Sequence, residues 1–121
     1  MRKPSAPGRR PARVAEQIRQ VAAAFLQEEA RDPRIGLVTI TGVHVSGDLQ
    51  HASLRYVVHG DEAAREQTRQ GLEAATSAIR RRIGQELRLR VVPEVVFSLD
   101  RGAEHASHIE KLLSDIKNRE S

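Results

Sequence analysis

The sequence contains no cysteine and no tryptophan, and its aromatic side chains are one tyrosine and two phenylalanines, Tyr56, Phe25 and Phe97. Without cysteine there is neither a disulfide framework nor a thiolate metal site, and a reducing compartment is compatible with that choice. The three aromatics fall at positions that the periodicity assigns to buried faces. No platform is left for stacking single-stranded bases, which disfavours readers of the RRM or OB type. Long apolar runs are also missing: none approaches the ~20 residues needed to span a bilayer, and residues 1–11 lack the apolar stretch of a signal peptide. A soluble, unexported, cytoplasmic protein is the expectation. The eight glycines are scattered and form neither a P-loop nor a dinucleotide pattern, so nucleotide hydrolysis is not supported.

Catalysis needs a nucleophile with a base, paired carboxylates in a cleft, or a metal cluster. None is convincing here. His105 and His108 stand three residues apart, but zinc wants three or four ligands, so they read as ordinary surface histidines. His44, His51 and His59 fall on one predicted hairpin and read as solvated strand residues, with RNA contact as the alternative. No enzymatic activity and no cofactor are expected. A metal-dependent or RNA-processing hydrolase would rest only on scattered His and Asp.

What the chain does have is arginine. The formal charge of +4 is modest, yet the cations are unevenly placed. Residues 1–19 hold Arg2, Lys3, Arg9, Arg10, Arg13 and Arg19 against Glu16 alone. Residues 79–92 hold Arg80, Arg81, Arg82, Arg88 and Arg90 against Glu86 alone. Acids gather at 28–32 and 61–73. Arginine suits bidentate contact with phosphate, so a polyanionic partner leads, with a solvated basic face as the bland alternative.

The 121 residues fit one domain. Residues 1–11 mix prolines with cations and should form a flexible basic arm, with the domain at 12–117 and a flexible tail at 118–121. Val14, Ile18, Val21, Ala22, Phe25 and Leu26 recur at helical spacing from about Ala12 until Asp32-Pro33. Two β-branched runs follow, Ile35 to Ser46 and His51 to His59, joined by the turn residues Ser46-Gly47-Asp48. The first run switches parity at Thr41-Gly42, where a bulge is plausible. Glu62 to Ala75 predicts an exposed helix, and Ile79, Ile83 and Leu87 predict another. Pro93 ends it, Val95, Phe97 and Leu99 make a third strand, and Ile109, Leu112, Leu113 and Ile116 a last short helix. The fold class is α+β: a two-layer domain with a three-stranded sheet and helices on one face.

The segments Arg13-Val14-Ala15-Glu16-Gln17-Ile18 and Asp32-Pro33-Arg34-Ile35-Gly36-Leu37-Val38-Thr39 resemble bacterial ribosome-binding factor A. The likeness continues through Val43 to Leu49, Gly71-Leu72 to Ile79-Arg80, and Leu87-Arg88-Leu89-Arg90-Val91-Val92-Pro93-Glu94, over nearly the whole chain. It implies a type II KH-like domain of order αββααβ with a C-terminal helix. It also implies a non-catalytic protein that binds 16S rRNA in the immature 30S subunit, assists late maturation and 16S rRNA processing, and supports growth in the cold; a monomer is expected. In that family the two paired helices are separated by a kink written Ala-x-Gly, matched here by Ala75, Thr76 and Ser77, so Ser77 departs from the pattern. The candidate RNA-binding residues are therefore Arg9, Arg10, Arg13, Ala75, Thr76, Ser77, Arg80, Arg81, Arg88 and Arg90. The competing expectation is a protein-docking adaptor that uses the acidic stretch Glu62 to Glu73 or the last helix.

Overall fold

The computed structural model describes residues 9–28, 32–102, 112–113 and 116–117. Their elements run α1 (Arg9–Glu28), β1 (Val38–Val45), β2 (His51–Val58), α2 (Glu62–Leu87) and β3 (Glu94–Leu99). The fold is α+β. One sheet has the order β1-β2-β3, with β1 antiparallel and β3 parallel to β2.

The core lies between one face of the sheet and the two helices. From α1 it takes Val14, Ile18, Val21, Ala22 and Phe25, from the sheet Val45, Ala52, Leu54 and Val95, and from α2 Ile79 and Ile83. Each buried Val, Leu or Ile contributes about 1.5–3 kcal/mol, enough for the stripe on α1 to fix its orientation. A second cluster joins Leu72 of α2 to Tyr56 and Val58, with Leu26 and Ile35 packed against it. Tyr56 meets Phe97 edge to face at 6.2 Å.

Helix α1 starts at Arg9, three residues before the expected Ala12. The reason is that first-turn N–H groups have no intrahelical acceptor. Pro11 therefore forfeits no bond there, and its fixed φ suits the helix.

The hairpin forms as expected, including the bulge. Ile40 pairs with Tyr56 and Gly42 with Arg55, which leaves Thr41 out of register, its hydroxyl donating to Asp100 Oδ2 at 2.6 Å. In the turn, Asp48 accepts from the Ser46 hydroxyl at 2.6 Å and from the Gln50 N–H at 3.1 Å. The left-handed residue is not Gly47 but Leu49, at φ 61°. Its side chain packs against the core, which offsets the strain of that conformation.

The largest departure concerns the helix pair. A single uninterrupted α2 of 26 residues replaces the two helices expected on either side of Ala75-Thr76-Ser77. Thr76 satisfies its hydroxyl inside the helix, donating to Leu72 O at 2.8 Å. Ser77 carries a Cβ where the kink calls for glycine, so the backbone lacks the freedom that would open it. The order among the described residues is thus αββαβ. Asp61 caps the start of α2, accepting from the Ala64 N–H at 2.8 Å.

Segment 32–37 lies tightly on α2. The fully buried Thr68 hydroxyl accepts from the Gly36 N–H and donates to Arg34 O, both at 3.4 Å. At Gly71 an added Cβ would stand 2.5 Å from Ile35 Cγ1. Of the expected last helix, Leu112, Leu113 and Ile116 are helical but exposed. Ile109, His105, His108, and the arm and tail at 1–8 and 118–121 lie outside the described residues.

Candidate nucleic-acid interface

The fold brings the two arginine blocks to one end of the sheet. Pro11 and Ala12 in the first turns of α1 line a shallow groove with Val43, His44 and Val45 at the end of β1. Val45 pairs with Ala52 at the start of β2, and Ala52 pairs with Val95 at the start of β3. The stretch 88–93 between α2 and β3 feeds into that same end. Arg10 and Arg13 on α1, and Arg81, Arg88 and Arg90 around the end of α2, are all exposed there. Arg9 belongs to the first turn of α1.

Four arginines elsewhere in the fold are already engaged by carboxylates. Arg19 is paired with Glu16, Arg34 with Asp32, Arg69 with both Glu66 and Glu73, and Arg82 with Glu86. Among the described residues Arg10, Arg13, Arg81, Arg88 and Arg90 have no ion-pair partner. Arg10 and Arg13 also crowd the N-terminal end of α1, where the helix dipole is positive and the first turn holds no acid. Cations there are unfavourable by some tenths of a kcal/mol each, and a bound anion would reverse the sign.

The remaining candidates are not equivalent. Arg80 is half-buried, and its guanidinium donates to Pro93 O at 3.0 Å and Val92 O at 3.2 Å. Ala75 packs toward the core, whereas Thr76 lines a groove between α2 and β3. Ser77 is exposed, one turn before Arg81 on the face that continues to Gln85 and Arg88. The structure therefore aligns Ser77 with the arginine ridge and separates it from Ala75 and Thr76.

The groove between α2 and β3 has a volume of about 1130 Å³ and an apolar floor containing Val95, Phe97 and Leu99. Its rim balances Glu62, Glu66 and Glu73 against Arg65, Arg69 and Arg101. Hydrogen bonds from Arg69 hold the Glu66 carboxyl down at about 2, and the pairing raises Arg69 in turn. A rim so compensated offers phosphate little. On the open face of the sheet stand His44, His51, His59 and Arg55, with His51 Nδ1 3.8 Å from Glu94 Oε2. No group of three His, Asp or Glu suited to a metal ion occurs among the described residues, and none of their helices is long and apolar enough to cross a membrane.

Sequence reasoning missed Gly84. A Cβ at this position would lie 2.8 Å from Val92 Cγ2, so stretch 88–93 folds directly over the helix backbone. A glycine inside a helix, costing about 1 kcal/mol against alanine, was the available signal.

Comparison with known proteins agrees with this architecture. The profile of the family described as Ribosome-binding factor A matches residues 10–113. The chain belongs to the ribosome-binding factor A family. The Moorella thermoacetica ribosome-binding factor A is 46% identical over 107 residues, covering 87% of this chain and 88% of that protein. The Thermosynechococcus vestitus one is 45% identical over 115 residues, covering 93% and 91%. The solution structure of a Thermotoga maritima candidate ribosome binding factor A superposes with a TM-score of 0.70 at 32% identity, over 80% of this chain and 92% of that one. A homology model of the Thermus thermophilus ribosome binding factor A, fitted into a cryo-EM map of its 30S complex, shares the fold at a TM-score of 0.57 and 24% identity, over 72% of this chain and 91% of that one. In this member of the family α2 runs uninterrupted through Ala75, Thr76 and Ser77.

Proposed function

We propose that this chain is a non-enzymatic assembly factor that binds 16S rRNA in the immature 30S subunit and assists its late maturation, including 16S rRNA processing and growth in the cold. It acts as a monomer with no cofactor and no small-molecule substrate. The observation that carries the reading is the set of guanidiniums at one end of the domain that have no ion-pair partner among the described residues. Family membership and the placement of the similarly folded Thermus protein in a 30S complex support it.

Arg10, Arg13, Arg81, Arg88 and Arg90 grip phosphates, with Arg9 beside them and Ser77 approaching the backbone in line with the ridge. Binding of this kind follows charge and shape more than base sequence. Assistance to assembly then requires tighter binding to the precursor than to the mature particle, because only differential affinity shifts a conformational equilibrium. The test is binding of an Arg81→Glu, Arg88→Glu double variant to precursor subunits across a salt series. A weaker, flatter salt response is expected, and binding equal to wild type would sink the reading.

A second reading rests on the charge-balanced groove beside β3, an edge strand of the sheet. There the chain would dock on a ribosomal or maturation-factor protein. Association that persists in high salt and after nuclease treatment would favour it.

A further inference from the structure

We propose that Arg80 is a positioning residue: it fastens stretch 88–93 to α2 so that Arg88 and Arg90 are held in one fixed presentation. This rests on the RNA-binding reading above. Both hydrogen bonds of Arg80 go to main-chain carbonyls twelve and thirteen residues away, Val92 O and Pro93 O. A planar guanidinium spans two neighbouring carbonyls in a way that an ammonium on a flexible stem does not.

The same short stretch is constrained in other ways as well. Arg88 turns the chain back at φ 52°. Leu89 and Val92 pack against the core, and Pro93 is fully buried. Gly84 lets Val92 lie over the helix at a distance that a Cβ would forbid. Between these anchors Arg88, Arg90 and Val91 stay exposed. The stretch is therefore a rigid bracket whose outward side carries two cations. Holding it before binding lowers the ordering cost that phosphate contact would otherwise incur.

The inference separates Arg80 from the ridge to which its position in the basic block assigns it. If Arg80 contacted phosphate, its charge would matter; if it braces the bracket, its shape matters. Two variants distinguish these roles. Arg80→Lys keeps the charge and loses the fork. Gly84→Ala keeps every cation, favours the helix locally, and pushes Val92 away. Both are compared with wild type for amide hydrogen exchange at residues 89–92 in the free protein, and for binding to salt-washed 30S subunits across a salt series.

Expected are exchange at those amides faster by about tenfold or more and affinity weaker by about tenfold, with the log-log salt slope unchanged. Wild-type exchange and affinity in both variants would overturn the proposal. So would an Arg80→Gln variant whose slope falls by roughly 0.7–0.9 while its exchange stays slow, the mark of a lost phosphate contact. If wild type itself ignores 30S subunits, the RNA-binding reading fails, and the exchange data still decide whether Arg80 braces the bracket.

Discussion

A guanidinium that is already bonded must give up that bond before it binds phosphate, and this separates Arg34 and Arg69 from Arg81 and Arg88. Arg34 shows the bonded case most fully: its Nε and Nη2 and its backbone N–H all donate to the Asp32 carboxylate, at 2.6–3.1 Å. These bonds hold Asp32 at about 2, against its ordinary 3.8. Because the folded value is the lower one, the pair stabilises the fold above pH 3.8. Its contribution fades as the pH falls from 3.8 through 2. Carboxyl carbon NMR should therefore give Asp32 a midpoint near 2, returning toward 3.8 in Arg34→Ala. A midpoint in the ordinary range in wild type would mean that the pair does not form in solution. The residues Asp32-Pro33-Arg34 were legible as a motif, but their bond was not. The same holds for Arg80, whose bonds depend on where the chain goes twelve residues later. Composition counts Arg80 and Arg81 alike, and only the folded path tells them apart.

Elements were legible wherever a period ran undisturbed. The stripe on α1 and the alternation of β2 matched the buried positions, and even the bulge was readable, since a parity switch at Thr41-Gly42 has no other physical cause in a paired strand. The helix break was misread because Thr76 and Ser77 lower helix propensity only slightly, and the Thr76 hydroxyl finds its acceptor, Leu72 O, within the helix itself. The hairpin turn was assigned correctly, but its strain fell on Leu49, where core packing outweighs conformational preference. At the end of α2 the same conflict offers a test, since Arg88 closes the helix in the left-handed conformation. A non-glycine there costs about 1–2 kcal/mol, against roughly 0.5–1 kcal/mol for the freedom that a glycine loses on folding. Arg88→Gly is accordingly expected to raise stability by up to about 1 kcal/mol in denaturant titration while weakening binding to precursor subunits. A variant that lost both would show that the Arg88 side chain supports the fold and is not held for a partner.

At the scale of the molecule, a net charge of +4 explains little, because what a polyanion meets is the arrangement of the charge. Helix α2 carries both extremes: arginine paired with two glutamates at Arg69, and at Arg81 arginine with no ion-pair partner among the described residues, continuing to Arg88 and Arg90 beyond its end. At 1.5 Å per residue, Arg69 and Leu87 are separated by about 27 Å along the helix, several times the screening length of about 8 Å at physiological salt. The two ends of one rigid element therefore titrate a ligand's charge independently. Counterion release makes this measurable, since each phosphate neutralised contributes about 0.7–0.9 to the log-log slope of affinity against salt. Replacing Arg88 and Arg90 together by glutamine should lower that slope by about 1.4–1.8. Arg69→Gln removes the same charge from the same helix, and should leave the slope where it was. Equal losses from the two variants would mean that only total charge is sensed, leaving the gathering of free guanidiniums at one end of the fold without consequence for binding.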